Sequence, residues 1–341
     1  MNERRVSQKG GRFGGALQDF YNQGGIIMDR AERGGNVFLI DTKMFGFDKY
    51  NAAYLVKGRE LALVDTGGPG RWETLKEGIL AHGFSPQDIS HIFVTHSHSD
   101  HCGNVTPLLR ECPETMVYVH PSGSENLTHP SVAQALRKKF YNPAMFARFS
   151  DMEPVPPSRI RHLSDNDLFD LGDGVTLRVL FAPGHQPDGV VLLEERSGGL
   201  FINDLVGNCL EDADAHYALN PPNSDHELAI RSLRRLMALP VSRLYMGHFG
   251  ISVRPKQVMA RAIEVMQELL DMGSRCVREG ASEKIADRVL EITRPELDKL
   301  RPVVGEDLYR YASQEHMPSQ AKIFADYCRK KYGVSTKEGK V

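Results

Sequence analysis

The sequence predicts a mixed α/β domain followed by a helical extension, and two observations indicate this fold class. Between residues 36 and 246, short apolar segments typical of strands alternate with amphipathic segments typical of helices. From Pro255 onward the pattern changes, because apolar residues such as Val258, Ala262 and Met266 recur at the spacing of one helical face.

The predicted strands are short runs of apolar and β-branched residues bounded by glycine or charged residues. In chain order they are Asn36–Lys43, Asn51–Gly58, Glu60–Asp65, His91–Thr95, Met116–His120, Thr176–Ala182, Gly189–Glu194, Gly199–Asn203 and Arg243–Met246. The predicted helices between them are Arg71–His82, Asn104–Glu111, Ser131–Phe140 and Asp225–Leu239. The proline-containing stretch Asp151–Arg161 is interpreted as a connector.

This pattern divides the chain into three regions. Residues 1–35 are rich in glycine and arginine and have weak periodicity, so we interpret them as an N-terminal arm. Residues 36–254 form the α/β domain. Residues 255–341 form the helical C-terminal extension, which is also the candidate interface for a homodimer.

Composition argues against several classes of partner. The 42 lysine and arginine residues nearly balance the 44 aspartate and glutamate residues, so no nucleic-acid partner is expected. No apolar run approaches the roughly 20 residues needed to cross a bilayer, and no membrane partner is expected. The N-terminus has no apolar signal-peptide core, and the five cysteines include no CxxC pair. These features predict a protein of the reducing cytoplasm.

One short segment contains four potential metal ligands. The string THSHSDH at 95–101 places His96, His98, Asp100 and His101 directly after a predicted buried strand. Two histidines spaced two apart on an extended turn point to the same side of the chain. Imidazole nitrogen and carboxylate oxygen are ligand types that zinc, iron and manganese accept. The segment therefore predicts a metal site.

Three more potential ligands lie at the ends of other predicted strands. His185 follows the strand that ends at Ala182, Asp204 follows the strand that ends at Asn203, and His248 follows the strand that ends at Met246. Functional residues commonly lie on loops that a rigid scaffold positions. We therefore expect these side chains to complete the metal site.

In this order the motifs resemble those of the metallo-β-lactamase superfamily, which are αββα-fold hydrolases. The matching elements are VDTG at Val64–Gly67, HxHxDH at His96–His101, PGH at Pro183–His185, the strand-end Asp204, and GH at Gly247–His248. The resemblance implies a four-layer αββα sandwich for residues 36–254, with these residues as its catalytic domain.

The resemblance also implies roles for individual residues. His96, His98 and His185 would hold one divalent ion; Asp100, His101 and His248 would hold a second; Asp204 would bridge the two. Asp65 would orient a ligand histidine through a hydrogen bond, as metal-bound imidazoles generally require. Zinc is the first expectation for both ions, with iron or manganese as alternatives.

The activity implied is that of a dinuclear metal-dependent hydrolase. A metal-bridging hydroxide would cleave a small ester, thioester or related acyl substrate, with Asp100 and Asp204 as the catalytic carboxylates that orient it and move its proton. Asp204 at the bridging position argues against an antibiotic β-lactamase. His98 in place of glutamate argues against a flavodiiron oxygen reductase, and Gly207 in place of tyrosine argues against a lactonase.

The remaining histidines carry weaker expectations. The segment Val117–Pro130 resembles the corresponding segment in a broad group of hydrolases of the superfamily. His120 within it is a candidate substrate contact. The alternative is that His120 only ends a strand. His226, His316 and four others have no partner motif and are interpreted as ordinary structural residues.

Two other functions stay open at this point. One is a mononuclear non-haem iron dioxygenase of the same fold, which would bind one iron per chain. The other is a metal-binding regulatory protein whose pocket is capped by the C-terminal helices.

Overall fold

A computed structural model describes residues 35–131, 138, 143, 148 and 150–333 of the chain. The predicted N-terminal arm and most of the predicted helix Ser131–Phe140 lie outside these residues. Among the described residues, no helix is long and apolar enough to pass through a lipid bilayer.

The first sheet contains six strands in sequential order. They are β1 (Val37–Asp41), β2 (Ala52–Lys57), β3 (Leu61–Val64), β4 (Ile89–Phe93), β5 (Met116–Val119) and β6 (Ile160–His162). Strands β1 to β3 are antiparallel, and β3 to β6 are parallel. The parallel strands are joined by helical crossovers, among them α1 (Trp72–Ala81), α2 (Ser99–Cys102), α3 (Val105–Glu111) and α4 (Ser124–Thr128).

The second sheet also has six strands. They are β7 (Leu168–Asp170), β8 (Thr176–Phe181), β9 (Val190–Glu194), β10 (Gly199–Asn203), β13 (Arg243–Met246) and β14 (Ile251–Ser252), in the spatial order β14-β13-β10-β9-β8-β7. A separate hairpin of β11 (Asn208–Leu210) and β12 (Ala215–Tyr217) follows β10. Helix α5 (His226–Met237) then connects the hairpin to β13, which pairs in parallel with β10.

The two sheets pack face to face because alternate side chains of each strand point to opposite faces. Tyr54 and Phe93 of the first sheet share a core cluster with Leu192 and Phe201 of the second. The opposite faces are covered by helices: Leu75 of α1 packs on the first sheet, for example. The four-layer αββα sandwich predicted from the resemblance is therefore confirmed.

The C-terminal extension is helical, as predicted. It consists of α6 (Pro255–Arg278), α7 (Ile285–Val304), α8 (Glu306–Arg310), a π-helix (Tyr311–His316) and α9 (Met317–Tyr332). Its side chains Met259 and Phe324 belong to the same buried cluster as Leu200 and Leu244 of the second sheet. Because the helices cover that sheet, removing them would expose a large apolar face to water.

Differences from the predicted elements are confined to short segments. Strands β6, β7, β11, β12 and β14 were not predicted, since two or three residues carry no readable alternation. The connector Asp151–Arg161 contains a 3₁₀ turn at Pro157–Arg159, and its last two residues belong to β6.

Candidate metal centre

All seven predicted ligand residues lie at one edge of the sandwich. His96 and His98 lie between β4 and α2, and α2 itself carries Asp100 and His101. The loop after β8 carries His185, the residue after β10 is Asp204, and the loop after β13 carries His248. Segments that follow four strands, drawn from both sheets, therefore converge, as expected for functional residues at strand ends.

The side chains form two groups that share one residue. The first contains His96, His98, His185 and Asp204, and the second contains Asp100, His101, His248 and Asp204. Within each group, one potential ligand atom from every residue lies within 4.8 Å of the others. Sequence resemblance implied the same division, with Asp204 common to both groups.

The Asp204 carboxylate is at the centre of the arrangement. Its Oδ2 lies 3.2 Å from Nε2 of both His101 and His248, and 3.4 Å from Nε2 of His185. Its Oδ1 is buried and has no hydrogen-bond partner within the described part of the chain. A buried carboxylate oxygen without a partner is costly in an isolated protein and is satisfied when a cation binds there. The donor set of imidazoles and carboxylates therefore fits two divalent ions.

Asp65 fixes the orientation of His101. Its Oδ2 lies 2.8 Å from His101 Nδ1, and its two oxygens accept hydrogen bonds of 2.8 Å from the Thr95 amide and hydroxyl. Asp65 adopts a left-handed backbone conformation with φ of 58° at the end of β3, which aspartate tolerates better than most residues. A carboxylate on Nδ1 favours the tautomer in which Nε2 is free to bind a metal ion.

His248 is oriented by the backbone, and its neighbour must be glycine. The carbonyl of Tyr50 lies 2.8 Å from His248 Nδ1, opposite the nitrogen that faces Asp204. A Cβ atom on Gly247 would lie 2.5 Å from Asp204 Oδ1 and 2.8 Å from His101 Cε1. Both distances are shorter than real contacts of this type, so any side chain at 247 would displace a ligand residue.

The charges of the metal-free cluster are distributed unevenly. Burial lowers the pKa of His185 to about 3, and burial together with neighbouring imidazoles lowers the pKa of His96. For His248, burial acts to lower the pKa, but the Asp204 and Asp100 carboxylates outweigh it and raise the pKa to about 10. Because metal ligands must be deprotonated, binding an ion in the second group requires the loss of a proton from His248.

Two residues beside the ligands have structural roles. Cys102 is fully buried, and its Sγ donates to the His98 carbonyl at 3.1 Å, so it packs behind the loop. Asn104 precedes α3 but does not cap that helix with its side chain. Its Nδ2 instead donates to the carbonyls of Thr66 and Gly68, which ties the loop after β3 to α3.

A cleft with a cavity volume of about 100 Å³ lies against the two groups and opens to solvent. Asp100 and His98 line it on the ligand side. Its apolar wall consists of Met44, Phe45, Tyr50, Leu219, Pro221 and Pro222. An apolar cleft with a few convergent polar groups is the usual form of a small-molecule site.

Three further lining residues come from the C-terminal helices, namely Tyr311, His316 and Gln320. The interpretation of His316 as an ordinary structural residue missed this position. No sequence signal marks it, because only the docking of the π-helix brings it to the cleft. Burial lowers the pKa of His316 to about 4, so its imidazole is neutral near pH 7.

His120, the predicted candidate substrate contact, lies apart from the ligand groups and does not belong to the residues that line the cleft. Its Nδ1 accepts a hydrogen bond from the Ser122 amide at 3.1 Å, and its ring packs on Phe181 with a centroid distance of 4.4 Å.

Among the relatives that sequence comparison finds, several are named as thioesterases. An atrochrysone carboxyl ACP thioesterase from Aspergillus fumigatus is 27% identical over 220 residues, covering 64% of this chain and 56% of the relative. A second thioesterase of that name from the same species is 24% identical over 308 residues, covering 83% of this chain and 62% of the relative. The chain thus spans little more than half the length of these relatives.

Structure comparison gives neighbours with the same fold. A metallo-beta-lactamase family protein from Thermus thermophilus matches 86% of this chain and 93% of its own, with 21% identity and a TM-score of 0.59. An archaeal superfamily protein from Sulfolobus tokodaii matches 69% of this chain and 86% of its own, with 18% identity and a TM-score of 0.55.

The family model described as the metallo-beta-lactamase superfamily matches residues 46–248, which include Asp65 and all seven predicted ligand residues. The match covers more than half of the chain and the whole segment that carries the two ligand groups. The chain therefore belongs to the metallo-beta-lactamase superfamily.

Proposed function

We propose that this protein is a dinuclear metal-dependent hydrolase that cleaves a thioester or a related acyl ester. The observation that carries the proposal is the pair of ligand groups that share Asp204 beside an apolar cleft. His96, His98 and His185 would hold one ion, Asp100, His101 and His248 the other, and Asp204 both.

Divalent ions in such a site act as Lewis acids toward a carbonyl oxygen and make a nucleophile of water near neutral pH. The chain itself supplies the positioning. Asp100 lines the cleft, and its Oδ2 lies 3.4 Å from His248 Nε2. Burial opposes ionisation of Asp100, but His101 and His248 outweigh it and lower its pKa. The ionised carboxylate would accept a hydrogen bond from the attacking water and so orient it.

A thioester is the substrate class that the cleft and the relatives favour together. The wall formed by Met44, Leu219 and Pro221 suits an apolar acyl chain. A thiolate is a much weaker base than an alkoxide, with a thiol pKa of about 8.5, so it departs without a dedicated proton donor. The two Aspergillus fumigatus relatives are named as thioesterases.

The test combines metal content with a substrate panel. The full chain, purified without added metal, is analysed by mass spectrometry for bound metals. It is then assayed with N-acetylcysteamine thioesters, p-nitrophenyl esters, lactones, a chromogenic cephalosporin and a phosphodiester. We expect about two ions per chain and thiol release from the thioesters, lost with a chelator and restored by zinc.

Other results of this test would support one of the two alternative functions. One iron per chain with oxygen uptake and no hydrolysis would support the mononuclear dioxygenase. Two ions with no turnover on any substrate would support the regulatory protein. Zinc is expected first, and restoration by iron or manganese alone would reassign the native metal.

A further inference from the structure

One histidine of the C-terminal extension reaches the cleft that holds the ligand groups. His316 is the last residue of the π-helix Tyr311–His316, and it lines the cleft together with Gln320. π-Helical turns are uncommon and are frequently found at functional sites. The position of His316 therefore calls for an explanation beyond packing.

The imidazole of His316 is buried and incompletely bonded. The residue is 7% exposed, and its Nδ1 has no hydrogen-bond partner among residues 35–131, 138, 143, 148 and 150–333. Most buried polar atoms in folded proteins are paired, because leaving one unpaired is costly. His316 also lines the cleft, so a ligand bound there can contact its imidazole.

The ring is held in place before any ligand binds. It stacks on Tyr311 with a centroid distance of 5.7 Å and an interplanar angle of 12°. Arg148 lies over the Tyr311 ring at 5.3 Å and makes two hydrogen bonds of 2.8 Å to Glu315 in the same π-helix. A side chain fixed in this way loses little conformational entropy when it binds a ligand.

We propose that His316 is a substrate-binding residue whose imidazole forms a hydrogen bond with an oxygen atom in the acyl part of the substrate. This inference rests on the proposed hydrolase function and adds a substrate class to it. The acyl group has an apolar body, which packs on Met44, Tyr50 and Leu219. It also carries a hydroxyl or carbonyl oxygen beyond the scissile carbonyl.

The test measures binding of product-like acids to the zinc-loaded full chain by calorimetry. Octanoate is compared with 3-, 5- and 7-hydroxyoctanoate, because a hydroxyl both donates and accepts and so suits either imidazole tautomer. The wild type is expected to bind one hydroxy acid about three- to tenfold more tightly than octanoate, the usual net effect of one hydrogen bond. His316→Phe keeps the stacking on Tyr311 and should abolish the difference, with octanoate affinity changed less than twofold.

His226→Phe is the matched control. His226 is also a buried histidine stacked on an aromatic ring, Phe324 at 5.2 Å, but it does not line the cleft. The His226→Phe variant should keep both the preference for the hydroxy acid and the wild-type zinc content.

Three results would overturn the inference. The wild type would bind all four acids equally, or His316→Phe would keep the preference, or His316→Phe would lose zinc and thereby show a structural role. Because binding is measured and not turnover, absence of thioester hydrolysis would refute the proposed function and leave this test intact.

Discussion

Replacing Asp65 by asparagine should weaken one metal site and spare the other. Asp65 Oδ1 accepts from the Thr95 amide, while Oδ2 accepts from the Thr95 hydroxyl and faces His101 Nδ1, all at 2.8 Å. Asparagine has the same size but only one acceptor oxygen. One of these partners must therefore face an NH₂ group in Asp65→Asn.

Either orientation of the amide has a cost. If the NH₂ group faces His101, Nδ1 must accept, and the ring proton moves to Nε2, the nitrogen that faces Asp204. If it faces the Thr95 amide, two donors oppose each other in a buried position, at about 1–3 kcal/mol. Since the loss of such supporting partners typically weakens metal binding 10- to 100-fold, we expect a zinc affinity lower by about 1.4–2.7 kcal/mol.

The assay is a zinc titration against a competing chelator. Two binding steps are expected for the wild type, and only the step assigned to the group with His101 should weaken in Asp65→Asn. Asp188→Asn is the matched control, because Asp188 is equally buried and accepts from the Ser97 amide at 2.8 Å, yet can keep that bond through its amide oxygen. Equal weakening of both steps, or unchanged binding in Asp65→Asn, would refute the reasoning on the tautomer.

Three further predictions follow from the packing of the site and the core. Gly247→Ala should lose one of the two ions and cost about 1–3 kcal/mol of folding stability, because its Cβ would overlap Asp204; metal analysis and urea unfolding test this. The metal-free protein should lose stability between pH 7 and 4.5, and His226→Phe should make that loss smaller by about 2–3 kcal/mol, as measured by urea unfolding at both pH values. Asp204→Ala should abolish thioester turnover and leave less than two ions per chain, as measured by mass spectrometry.

The direction in which His226 changes the folding stability with pH follows from its pKa values in the folded and unfolded chain. Burial lowers its pKa to about 4 in the folded chain, against about 6.5 when unfolded. As pH falls below 6.5 the unfolded chain takes up the proton first, so stability falls until about pH 4 and then levels off. An unchanged pH dependence of stability in His226→Phe would contradict this reasoning. Full metal content in Gly247→Ala would contradict the prediction for that variant, and full turnover in Asp204→Ala would contradict the prediction for Asp204.

The sequence was informative about the site because the ligands follow strand ends. His96, His98 and His101 lie within six residues, and the distant partners each follow a strong apolar run. Such runs are readable because a strand that is buried on both faces carries apolar residues at nearly every position. Short edge strands such as β6 and β14 have only two or three residues and gave no pattern.

The cleft wall was not predictable from sequence in the same way. His316 belongs to a helical segment with no motif, and its position depends on the docking of Tyr311 against the loop that carries Phe45 and Tyr50. The role of Asn104 could not be read from its residue type either: asparagine is typical of a helix cap, but this side chain bonds to the loop after β3.

Anomalous diffraction from crystals of the zinc-loaded protein, recorded at the zinc edge, tests the central claim most directly. Two peaks about 3.5–4 Å apart are expected, as in two-metal hydrolases, with an Asp204 oxygen bonded to each. A single peak among His96, His98 and His185, or two peaks that Asp204 does not join, would contradict the dinuclear account.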